Sequence, residues 1–153
     1  MLRQRMETTT ISPERTAQEI VTLLAHIGAR QVVTEYDESG ELIGIRWAVE
    51  RDGVTIPFLL PARIEPVFQH LLRSVSTENR EKRQQQVWEQ AKRIAWRQLL
   101  RWLQAQLAFI QTGMVTTEEV FMPYIELRPN RTMFDALAEQ KFKGLLAAGQ
   151  EGP

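Results

Sequence analysis

No cysteine occurs in the 153-residue chain. That absence removes disulfides, thiolate metal sites and thiol catalysis together. Charge of either sign is not in excess: Lys plus Arg is 19 and Asp plus Glu is 19. There is therefore no global field to draw in nucleic acid or an acidic membrane. No apolar run approaches the roughly 20 residues that span a bilayer. The opening stretch, MLRQRMETTTISPER, lacks the apolar core and cleavage site of a signal peptide. No membrane association and a cytoplasmic setting are expected. Phosphate-cradling and nucleophile motifs are missing too: no G-x-G-x-x-G, no G-x-x-x-x-G-K-[ST] and no G-x-S-x-G is present. His26 and His70 have no His, Asp or Glu at metal-ligand spacing on the same helical face. They read as surface histidines. A non-enzymatic protein without metal or cofactor is the expectation.

Glycine and proline are missing from one place in particular. Thr77 to Thr112 contains neither, and is rich in Gln, Glu, Arg, Leu and Ala, which lose least on entering a helix. Its length predicts a single rod of roughly 50 Å at about 1.5 Å per residue. Val87, Trp88, Ala91, Ile94, Ala95, Leu99, Trp102, Leu103, Leu107 and Ile110 mark its apolar stripe. Gly113 ends it.

Upstream, Ser12 is suited to cap a helix, with Pro13 at its first position and Glu14 complementing the dipole. Ala17, Ile20, Val21, Leu23, Leu24 and Ile27 form its broad apolar stripe, and Gly28 its stop. Three strands follow, Arg30 to Asp37, Leu42 to Arg51 and Val54 to Leu60. Ser39-Gly40 and Asp52-Gly53 read as two-residue hairpin loops. The second turn sets Val49 against Ile56, Trp47 against Phe58 and Ile45 against Leu60. The first sets Tyr36 against Ile43, Thr34 against Ile45 and Val32 against Trp47. All fall on one face, because side chains alternate along a strand. Tyr36, Trp47 and Phe58 are thus core residues rather than base-stacking platforms. Pro57 cannot donate to a ladder, so the third strand is expected to be an edge or to be bulged there.

A helix over about Arg63 to Ser74 follows, with Ser76 or Thr77 capping the long rod. Thr116 and Glu119 form a capping box for a short helix, and Thr132 to Ala148 forms the last helix. The whole chain, 1–153, reads as one α+β domain: a three-stranded antiparallel meander packed on one face by helices, in the order α-β-β-β-α-α-α-α. A loose arm over 1–11 and a tail over 149–153 flank a core over 12–148.

The long helix carries the most specific surface signal. Between Arg80 and Arg101 lie Lys82, Arg83, Lys92, Arg93 and Arg97 against two acids, Glu81 and Glu89. Arg93, Arg97 and Arg101 are spaced by four and form a row. Lys92, Trp88 and Trp96 are further contacts, with the two tryptophans read onto one side. The expected ligand is nucleic acid, single-stranded or without sequence preference, with arginines on phosphates and tryptophans on unstacked bases. The alternative is an oligomeric interaction module, an adaptor or an inhibitor of a host factor, without affinity for nucleic acid. Homo-oligomerisation is expected, because so long a helix overhangs a small core. Trp102, Gln106, Phe109 and Gly113 are residues for its seam.

The segment from Ala95 to Ile125 contains Trp96-Arg97, Trp102-Leu103, Ala105-Gln106-Leu107 and Phe121-Met122-Pro123-Tyr124. It resembles small phage, prophage and bacterial proteins of unassigned function. The resemblance implies a setting in mobile-element DNA biology and carries no catalytic residues.

Overall fold

The computed structural model describes residues 8–150. Helix α1 (Pro13–His26) starts where Ser12 Oγ accepts from Arg15 N at 3.2 Å. Strands β1 (Arg30–Tyr36), β2 (Leu42–Arg51) and β3 (Val54–Pro61) form an antiparallel sheet in that order. Helix α2 (Ile64–Leu72) leads into α3 (Arg80–Gln111), about 48 Å long at 1.5 Å per residue. Then come α4 (Thr117–Phe121), a tight turn over Met122–Tyr124, a small hairpin of β4 (Glu126–Arg128) and β5 (Arg131–Thr132), and helices α5 (Met133–Glu139) and α6 (Lys143–Gln150). The architecture is α+β, with the meander and the single long helix in the expected order.

The β2–β3 register is as the turn predicts: Ile45 faces Leu60, Trp47 faces Phe58 and Val49 faces Ile56. Asp52 and Gly53 both take positive φ, the geometry of a type I′ turn. The β1–β2 turn differs. Asp37 N donates to Glu41 O at 2.8 Å, which makes the loop three residues, Glu38 to Gly40. Tyr36 then pairs with Leu42, not Ile43. A bulge at Ile43 adds back the offset, so Thr34 still meets Ile45. Tyr36 and Ile43 consequently lie exposed rather than in the core. A second irregularity, at the positive φ of Gln31, takes Val32 out of the expected pairing with Trp47.

Trp47 stacks on Phe58 at 5.2 Å, and Phe121 meets Trp47 edge-on at the same separation. These rings are buried with Ile20 and Leu24 of α1 and Trp96, Leu100, Leu103 and Leu107 of α3. A second cluster joins Ile64, Val67 and Phe68 of α2 to Val87, Ala91, Ile94 and Ala95 of α3. At about 100° per residue, the two α3 sets point to roughly opposite sides of the helix. The single stripe expected from the sequence is therefore two seams. The first half of the rod packs on α2, and the second half packs on α1 and the sheet.

Three further expectations are corrected. Asn79, not Ser76 or Thr77, precedes the first turn of α3, and its side chain makes no capping bond. The loop after α4 contains the β4–β5 hairpin, held by Arg46, whose guanidinium bonds Glu126 at 3.1 Å, Asn130 at 2.6 Å and Glu35. The last helix is two, because Lys141 and Phe142 take positive φ between α5 and α6. The arm over 1–11 lies mostly, and the tail over 149–153 partly, outside the described residues.

Candidate nucleic-acid interface

The three arginines of the α3 row meet three different fates. Arg97 Nη1 donates to Glu19 Oε2 at 3.0 Å and reaches Thr16 Oγ1 at 3.4 Å, binding α3 to α1. Its charge is committed to that junction. Arg93 Nη1 donates to a neutral partner, Gln90 Oε1, at 3.1 Å. Arg101 is exposed and its side chain has no hydrogen bond or ion pair among the described residues.

Lys92 is also committed. Its Nζ lies 3.0 Å from Glu89 Oε2 and 3.5 Å from Glu41 Oε1. Burial opposes the charge, and the two carboxylates more than offset it, so Lys92 holds its proton above the ordinary lysine range. Trp88 Nε1 donates to the same Glu41 oxygen at 2.8 Å, while its ring meets Phe68 edge-on at 5.1 Å. Trp96 is fully buried in the main core. It cannot stack on a base, which corrects the expectation for that residue. The reason is angular. A spacing of eight residues carries a side chain about 80° around the helix, so Trp88 sits at the margin of the α2 seam while Trp96 points into the main core.

A cleft of about 530 Å³ lies between α2, the first half of α3 and the segment Thr8–Thr10. Arg83 and Arg93 face it from α3, and His70 and Ser74 from the end of α2 and the turn after it. Leu71, Val75 and Val87 supply apolar lining. Gln90 Nε2 donates to Thr9 O at 3.0 Å and so pins the N-terminal segment across α3 as one wall. No carboxylate is among the described lining residues.

That composition is unusual within this chain. Arg30 faces Glu50, Arg46 faces Glu35 and Glu126, Arg51 faces Glu118, and Arg131 faces Glu139. Arg83 and Arg93 have no carboxylate partner among the described residues. Two guanidinium groups therefore share a concave site with an imidazole and hydroxyls, without a neutralising acid among the described residues.

Arg93 is legible in the sequence as one of the α3 row, and Arg83 as part of the positive segment. His70 is not legible as part of a site, since the cleft joins stretches about residues 9, 72 and 88 that no local motif connects. A second hollow of about 290 Å³, between Pro61, Val67, Leu99, Trp102 and Tyr124, is mainly apolar with Arg63 on its lining. Among the described residues no three His, Asp or Glu side chains gather to hold a metal ion, and no helix is long and apolar enough to cross a membrane. No family model, curated protein or solved structure matches the chain.

Proposed function

We propose that this protein binds nucleic acid without sequence preference, single strands included, through phosphate contacts at the α2–α3 cleft. The carrying observation is the pair Arg83 and Arg93 facing one concavity with no carboxylate beside them among the described residues. A guanidinium fork matches the geometry of phosphate oxygens. Lys82 and Arg101, both exposed, extend positive charge beyond the cleft along α3. Of the residues expected at first, Arg93 and Arg101 keep this role. Arg97 and Lys92 hold the fold instead, Trp96 belongs to the core, and Trp88 is turned towards Glu41.

Fluorescence anisotropy on single-stranded and duplex oligonucleotides tests the reading. Binding is expected at low salt and falls steeply as salt rises, because counterions are released from the phosphates. Absence of binding at low salt ends it, as does binding indifferent to Arg83→Gln and Arg93→Gln together.

A second reading, an interaction module assembled from copies of this chain, draws on the C-terminal helices. Phe134, Phe142, Leu145 and Leu146 are between 40% and 64% exposed there, and α5 and α6 contain no buried residue. Light scattering separates the readings: concentration-dependent mass lost on Leu145→Gln with Leu146→Gln supports it, and a constant monomer mass removes it.

A further inference from the structure

We infer that the α2–α3 cleft seats a phosphate monoester, the terminal phosphate of a strand or of a mononucleotide, in preference to the diester of a continuous backbone. The inference rests on the nucleic-acid reading and names the ligand group it takes.

Charge is the first argument. Arg83 and Arg93 bring two positive charges with no described carboxylate in the cleft. A monoester carries about −1.5 to −2 near neutral pH and offers three terminal oxygens, whereas a diester carries one charge and two. Two guanidinium forks, with His70 and Ser74 as further hydrogen-bonding groups, match the former.

Closure is the second. Gln90 Nε2 holds Thr9 O at 3.0 Å, so the Thr8–Thr10 segment crosses α3 as a wall of the cleft. That segment narrows the cleft beside Gln90, on the side of α3 where Arg93 also lies. A chain end enters such a recess more readily than a through-running backbone does.

Size is the third. About 530 Å³ lies within the roughly 300–1,000 Å³ of small-molecule sites. Leu71, Val75 and Val87 give apolar contact for the sugar and base attached to the phosphate.

The test compares one oligonucleotide in three forms, 5′-phosphorylated, 3′-phosphorylated and unphosphorylated, by anisotropy. Calorimetry with adenosine 5′-monophosphate and adenosine accompanies it. A terminal phosphate is expected to tighten binding about tenfold, equivalent to 1.4 kcal/mol. Adenosine 5′-monophosphate binds and adenosine does not. Arg83→Gln and Arg93→Gln each erase the gain, while Arg101→Gln weakens all three oligonucleotides alike and leaves the gain in place. Circular dichroism melts establish that the variants are folded, and the comparison of ligands on the unaltered protein needs no variant. Equal binding of all three forms overturns the inference and leaves the nucleic-acid reading standing. A gain that survives both glutamine variants also overturns it. Monophosphate binding without any oligonucleotide binding supports the seat and ends the nucleic-acid reading. No binding of either ends both.

Discussion

The Trp88 indole N–H donates to Glu41 Oε1 at 2.8 Å, and Lys92 Nζ lies 3.5 Å from the same oxygen. One carboxylate from the loop before β2 thus occupies a tryptophan and a lysine that the helix alone would offer to a ligand. Trp88→Phe removes the donor but keeps the edge contact with Phe68. It is expected to cost about 0.5–1.5 kcal/mol, the net value of a hydrogen bond. Urea denaturation measures it, and a double-mutant cycle with Glu41→Ala, which removes the acceptor, should show coupling. Strictly additive effects would mean that the bond contributes nothing.

Trp96 is a core residue, so its replacement should act on stability and not on ligand binding. Trp96→Ala is expected to cost about 3–5 kcal/mol. Trp96→Phe should be far milder, because the indole N–H is buried without a partner among the described residues and phenylalanine removes that unsatisfied donor. A folded Trp96→Phe protein should bind oligonucleotides as the parent does. A marked loss of affinity would contradict the burial.

Arg97 and Arg101, four residues apart, should separate by phenotype. Arg97→Gln breaks the pair with Glu19 and lowers stability by about 0–1 kcal/mol, the worth of a partly exposed ion pair. It should leave nucleic-acid affinity unchanged. Arg101→Gln should leave the melting temperature unchanged and reduce the salt slope of binding by about 1. The reverse pattern would reassign the ridge.

Gly44 is required by close approach. A Cβ built there would lie 2.9 Å from Leu60 O and 3.4 Å from Pro61 Cα, both backbone atoms that cannot swing aside. Gly44→Ala is expected to destabilise by about 1–3 kcal/mol, the usual cost of overpacking. An unchanged melting temperature would show that the β2–β3 pairing is looser than described.

Asp37 organises the first hairpin turn. Its Oδ1 accepts from Ser39 Oγ at 2.6 Å, and from Ser39 N and Glu41 N, each at 2.9 Å. The Ser39 hydroxyl first, and then the Glu41 amide, hold the carboxyl below its ordinary 3.8. A folded value below the unfolded one means that the contribution is present above pH 3.8 and is lost as pH falls through the lower folded value. A carboxyl titration followed by NMR should give a midpoint below 3.8, absent in Asp37→Asn, while a midpoint above it would refute the turn chemistry.

Local signals were readable where the chain acts on its near neighbours. Ser12, the Thr116–Glu119 box and Asp52-Gly53 each do what their residue types do in isolation, because a cap or tight turn closes within a few bonds. The Thr132–Asp135 box obeys the same chemistry but opens a helix of only seven residues. The halt after it depends on Lys141 and Phe142 adopting a left-handed backbone that neither residue type advertises. The hairpin bulge at Ile43 shows a subtler limit. A three-residue loop and one extra strand residue cancel, so the pairing beyond them is the same as a two-residue loop would impose.

Residue order alone determined the caps at Ser12 and Thr116, the unbroken run of α3, the strand pairing across Trp47 and Phe58, and the positive bias of Arg80–Arg101, since each depends on local spacing. Tertiary structure decided which of those charges remain available. Glu19 and Glu41 come from distant stretches to neutralise Arg97 and Lys92, while no described acid is brought to Arg83 or Arg93. Coulomb attraction depends on distance in space, and spacing along a helix says which side a cation occupies but not what packing brings to face it.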